Sequence, residues 1–194
     1  MTIPTLTPRA RREQQTFRAL LNAMARPGTI WQLPDMEGPS QEGLLPVAEA
    51  LVDHEVTFTA VPDQGELVDS VLRQTGSRVA AVEDGDYVFC RVDSLHEALR
   101  RCKDGTPEYP DASATVICAV DALKQGSRGG DSLILSGPGI REEALLQVAG
   151  LGVDAAEAFR ERNASPPLGV DLAFVAGSGQ VVCLSRYTRL QVED

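Results

Sequence analysis

Hydrophobic positions along the chain follow two rhythms, one helical and one extended. Phe17, Leu20, Leu21 and Met24 recur at i, i+3, i+4 and i+7 after Thr7-Pro8. That spacing predicts one apolar helix face, with Pro27-Gly28 ending the helix. Leu44, Leu45, Ala48, Leu51 and Val52 predict a second helix over residues 44–52. Leu67, Val68, Val71 and Leu72 predict a third, closed by Gly76. A fourth is expected through Arg101, capped by Asp93 or Ser94, and others over residues 141–148 and 154–162.

Between the helices lie β-branched or alternating runs. They predict strands over residues 29–33, 56–61, 79–82, 87–92, 114–120 and 132–136. Residues 170–176 and 181–184 read as a hairpin across Gly177-Ser178-Gly179. Residues 34–43, 103–111, 126–131 and 163–167 carry Pro, Gly and polar side chains and read as loops or turns. Interleaved strands and helices define an α/β class with a mixed sheet and helices on both faces. No repeat or Gly/Ser linker divides the 194 residues, so one domain is expected over 1–194.

Charge narrows the partners. The chain carries 18 Lys+Arg against 28 Asp+Glu, a net −10, which disfavours binding to nucleic acid backbones. The cations are almost all arginine; Lys103 and Lys124 are the two lysines. No apolar run is long enough to span a membrane, and the N-terminus lacks the pattern of a secretory signal. Cys90, Cys102, Cys118 and Cys183 form no CxxC, and Cys90 and Cys118 sit within apolar runs. A cytoplasmic, reduced protein is expected.

Candidate chemistry is sparse. His54 and His96 have no ligand-spaced partner for zinc, and no GxSxG elbow is present. Neither lysine sits beside a phosphate cup that pyridoxal phosphate would need, so no cofactor is expected. The strand at 132–136, Gly137-Pro138-Gly139 and the helix expected after it could hold an anion at a helix N-terminus, with Arg141 opening that helix. Pro138 offers no N–H, and a tight strand-to-helix turn accounts for the same residues. Arg18, Arg141 and Arg186 each suit a phosphate or an acidic partner, and each suits a carboxylate of the chain itself. Asp171 opens a strand and suits local pairing or an interface. No self-sufficient catalytic constellation emerges, which fits a subunit that docks or completes a site elsewhere.

Four segments carry a family resemblance. Phe17-Arg18-Ala19-Leu20-Leu21-Asn22-Ala23-Met24-Ala25-Arg26-Pro27-Gly28 resembles the FRxLLxAMxxPG opening of the PhnH family of the carbon–phosphorus (C–P) lyase system. Leu133-Ile134-Leu135-Ser136-Gly137-Pro138-Gly139-Ile140 and Pro167-Leu168-Gly169-Val170-Asp171-Leu172 are similar to its LxLxGxGI and PxGxDL stretches. Ser185-Arg186-Tyr187-Thr188 is similar to its PRT ending, with Ser before the Arg and a Tyr before the Thr. The resemblance implies a three-layer α/β/α fold like that of pyridoxal-phosphate transferases, without the cofactor. It implies a homodimer in isolation and assembly with PhnG, PhnI and PhnJ in the C–P lyase core complex. It implies a supporting part in replacing the adenine of ATP by an alkylphosphonate. The alternative is an isolated nucleotide- or phosphonate-binding protein that uses the Gly137-Pro138-Gly139 turn.

Overall fold

A computed structural model describes residues 6–34, 43–62, 65–128 and 132–193. The first element, α1 (Pro8–Ala25), starts where Thr7 accepts a hydrogen bond from the Ala10 N–H at 3.2 Å and Pro8 enters the first turn. After it come β1 (Trp31–Gln32), α2 (Leu44–Leu51), β2 (Thr57–Val61), α3 (Gly65–Thr75), β3 (Arg78–Val79) and β4 (Tyr87–Arg91). A 3-10 turn at Val92–Ser94 leads into α4 (Leu95–Arg101). The chain continues with β5 (Thr115–Val120), β6 (Leu123–Gln125), β7 (Leu133–Ser136), β8 (Ala144–Val148), α5 (Val153–Arg162), β9 (Asp171–Ala176), β10 (Gln180–Leu184) and β11 (Arg189–Val192).

Seven strands form a wide mixed sheet in the order β1-β10-β9-β5-β4-β2-β3. Strands β3, β2, β4, β5 and β9 run parallel, and β10 and β1 add antiparallel pairing. Side chains alternate across this sheet, as the two-residue strand period requires. Phe58, Phe89, Ile117, Ala173 and Val181 pack with α1, α2 and α3. Val88, Cys118, Leu172, Phe174 and Val182 pack on the other face with α4, α5 and a second sheet. That second sheet has four antiparallel strands in the order β11-β7-β8-β6. Leu123, Leu133, Leu135, Leu146 and Leu190 turn its inner face toward the same core.

The mixed α/β class and most elements match the sequence reading, and several points correct it. Residues 144–148 form the strand β8, not a helix. Their residues are good helix formers, but β8 finds ladder partners on both sides, β7 and β6, and tertiary pairing overrides propensity. The strand expected at 79–82 shrinks to β3, an exposed edge in which Val79 is half exposed. The buried stripe of α1 is Thr16, Ala19, Leu20 and Ala23, one residue out of step with the expected face. Small side chains there let the helix lie close on β10, where Cys183 Sγ comes within 3.9 Å of the Leu20 carbonyl. Phe17 and Leu21 are left facing solvent. Most of the loop read at 34–43 lies outside the described residues. Ser94 stands at the N-cap of α4 as expected, but its hydroxyl donates to Asp93 and makes no capping bond to the helix.

Candidate functional site

The segments that stand out in the sequence meet at one end of the molecule. The Gly137-Pro138-Gly139 turn leaves β7 and packs against two other segments. A Cβ on Gly139 would fall 2.6 Å from the Ala25 carbonyl oxygen and 2.9 Å from Pro27 Cδ, so the turn lies directly on the end of α1. A Cβ on Gly137 would fall 2.8 Å from the Tyr187 carbonyl oxygen, in the connection between β10 and β11. Both glycines have positive φ, at +130° and +83°, where other residues are strained. Their first role is close packing between segments. With β8 following, the turn does not open a helix, and the helix N-terminal anion site expected there does not form.

Beside the turn, Arg186 and Asp171 form a latch. The Arg186 guanidinium donates to Asp171 Oδ2 at 2.7 Å, and the Arg186 backbone N–H donates to Asp171 Oδ1 at 2.8 Å. The guanidinium also donates to the Pro110 carbonyl. The hairpin register produces this pair: Leu172 faces Leu184, so Asp171 at the start of β9 and Arg186 just past the end of β10 meet. The side chains keep 13% and 21% of their exposure, so this is a largely desolvated, fixed ion pair. Arg186 is therefore anchored and holds the start of the β10–β11 connection in place.

Two clefts flank the turn. One, of about 530 Å³, is lined by Gly137, Pro138, Arg160, Asn163, Arg186, Thr188 and Arg189 among others. Its described lining holds three arginines and no carboxylate. The other, of about 400 Å³, is lined by Pro27, Thr29, Gly139, Arg141, Glu142 and Glu143 among others. There the single arginine shares the lining with two glutamates, of which Glu143 pairs with Arg128. A third cleft, of about 490 Å³, has Lys124 and Glu193 in its lining, with residues of β6, β7, β8 and β11.

The structure thus brings Gly137, Asp171 and Arg186 together, sets Gly139 and Arg141 on the far side of the turn, and leaves Arg18 apart, exposed on α1. Sequence reasoning missed Arg160 and Arg189. They lie 29 positions apart, on α5 and β11, and only the docking of α5 beside the small sheet makes them neighbours. It also missed Asp86, which accepts from Lys103 Nζ at 2.6 Å and from the Thr57 N–H and hydroxyl at 2.7 and 2.8 Å. Burial works against the Asp86 charge, but these bonds together outweigh it and lower its pKa.

The four thiols are buried and unpaired. Burial pushes Cys102 up to about 11 and Cys183 up to about 12, the latter helped by the Asp171 charge. Such thiols stay protonated and inert at neutral pH. His96 Nε2 accepts from Arg100 at 2.9 Å, and no group of three or more His, Cys, Asp or Glu is placed to hold a metal ion among the described residues. No helix among those residues is long and apolar enough to cross a membrane.

This is an α/β protein with a positively lined cleft and no assembled nucleophile–base pair in the site just described. Its relatives place it more closely. A family model for the bacterial phosphonate metabolism protein PhnH matches residues 4–191, and the chain belongs to that family. It is 36% identical over 185 residues to the putative C–P lyase subunit protein HtxG of Stutzerimonas stutzeri, covering 95% of this chain and 88% of that one. It is 31% identical over 186 residues to the alpha-D-ribose 1-methylphosphonate 5-triphosphate synthase subunit PhnH of Rhizobium meliloti (strain 1021), covering 93% and 90%.

Proposed function

We propose that this chain is a required subunit of a C–P lyase core complex in organic phosphonate catabolism. In that reading it supports the transfer of an alkylphosphonate onto ribose C1 of ATP. A phosphonate oxygen bonds to C1 as the bond to adenine breaks, giving a ribose 1-phosphonate 5-triphosphate. The observation that carries the reading is the near full-length match to a subunit of the synthase that bears this product's name. The chain is a cytoplasmic homodimer of three-layer α/β/α form when alone, and it joins PhnG, PhnI and PhnJ in the complex. Its part is to hold or complete a site that another subunit supplies with the reacting groups.

The outer face of α1 is the proposed docking surface, with an acidic patch of a partner subunit as its occupant. Phe17 and Leu21 are 48% and 58% exposed there, and Arg18 lies beside them. The helix carries four arginines and one glutamate in a chain of net charge −10. Apolar anchors flanked by arginine are the composition of interface centres. Light scattering on a sizing column tests this, with the chain alone and mixed with its own PhnG, PhnI and PhnJ. A dimer that shifts into a larger complex is expected. The F17S/R18E double variant should stay folded and lose at least about tenfold in affinity for the complex. A wild-type chain that ignores those subunits overturns the reading.

The alternative, a ligand held by the Gly137-Pro138-Gly139 turn with Arg141, draws little support from the geometry. The turn lacks its helix, and Arg141 shares its cleft with Glu142 and with Glu143, which pairs with Arg128.

A further inference from the structure

Three features compete outside the docking face. The Lys124–Glu193 cleft mixes charges, and the Arg141 cleft carries two glutamates against one arginine. The cleft between α5 and the β10–β11 connection differs. Its described walls carry Arg160, Arg186 and Arg189 without a carboxylate, in a chain where carboxylates outnumber cations by 28 to 18.

The three arginines are not equivalent. Arg186 is committed to Asp171 and the Pro110 carbonyl, and so stiffens the wall. Arg160 and Arg189 are exposed and make no ion pair among the described residues. A cation in the last turn of α5 steadies the helix dipole, which explains Arg160 alone. It does not explain Arg189, which reaches the same cleft from the start of β11. Two unpaired guanidiniums on rigid elements, facing one cleft, present planar donor forks to an anion with several oxygens. Low-dielectric walls of a single sign concentrate that field locally, even in an acidic protein. The volume of about 530 Å³ lies in the usual range of small-molecule sites and admits more than a bare ion.

We propose that this cleft binds the phosphonyl or phosphoryl end of a small organic anion, held by Arg160 and Arg189. Arg186 is its positioning residue: it touches Asp171 and the backbone and fixes the wall from which Thr188 and Arg189 project. The choice of a phosphorus oxyanion over a carboxylate rests on the proposed role in phosphonate catabolism. The cleft's positive lining does not depend on that role.

Isothermal titration calorimetry on the full chain tests the proposal with methylphosphonate, inorganic phosphate and ATP as probes, each at 20 mM and 200 mM salt. At least one probe is expected to bind, with affinity falling as salt rises. The R160Q/R189Q double variant is expected to weaken that probe at least about tenfold, the loss of one good charge-assisted contact. Its thermal midpoint should fall only slightly, because neither side chain makes an ion pair among the described residues and the one charge lost to stability is that of Arg160 at the end of α5. The control variant Arg141→Gln should bind as wild type does. Tighter binding of ATP than of methylphosphonate assigns the cleft to a polyphosphate tail, and the reverse order to the phosphonate. No heat from any probe at millimolar concentration overturns the proposal. So does binding that the double variant leaves unchanged. Either failure alongside normal assembly with PhnG, PhnI and PhnJ would remove the cleft and leave the subunit role standing.

Discussion

In the wide sheet, β4, β5, β9 and β10 are buried on both faces, with helices and the second sheet covering their side chains. In the small sheet, burial falls on alternate residues: Leu133 and Leu135 point inward, while Ile134 and Ser136 are partly open. Its edge strand β11 buries Leu190 and exposes its other three residues. A sheet enclosed on both sides can only stabilise. A sheet with one open side can also carry charges to a cleft, and Arg189 does this from β11. Stability and candidate chemistry are thus divided between the two sheets, and the Arg186–Asp171 latch ties the start of the β10–β11 connection to β9.

Substitutions can break that contrast. Phe174 is 1% exposed in the middle of the wide sheet, and Phe174→Ala should cost about 3–5 kcal/mol in urea unfolding. Ile134→Ala, on the more open side of the small sheet, should cost about 1 kcal/mol. Equal losses would show that the two sheets share the stabilising role. Next in size is the latch. Asp171→Ala leaves the largely buried guanidinium without its carboxylate and should cost about 2 kcal/mol by the same measurement. A loss below about 0.5 kcal/mol would mean that the hairpin alone holds the β10–β11 connection.

The smallest effect sits at the far edge of the wide sheet. The pKa of Asp86 is lowered in the folded chain, so the carboxylate stabilises it above the ordinary aspartate range. That contribution is lost as pH falls through the lowered folded value. Wild-type stability should therefore decline further into acid than that of Asp86→Asn, and the two curves should converge at the lowest pH. Parallel curves from pH 7 downward would remove Asp86 from the acid response.

Alternating and β-branched runs made β2, β4, β5, β9 and β10 legible, because strands in a covered sheet must be apolar over several residues in a row. The α1 face was legible only to within one residue. Two stripes of the right period lie side by side in that helix, and the winning one carries the smaller side chains. Helix-forming residues hid β8 until its two neighbours were in place. Arg186 and Asp171 were each visible as candidates, and their partnership follows from the hairpin register. The pairing of Arg160 with Arg189 had no local signal at all.

The chain's own order of residues determined its class, its family and the positions of α1 to α5 and of β2, β4, β5, β9 and β10, since these depend on local periodicity and turn chemistry. It also determined the acidic balance with an arginine-rich cation set. Tertiary structure alone decided which side of α1 faces out, that residues 144–148 extend, and that three arginines share a cleft whose described lining holds no carboxylate. Those outcomes depend on contacts between segments tens of residues apart, and such contacts form only when whole faces are buried together.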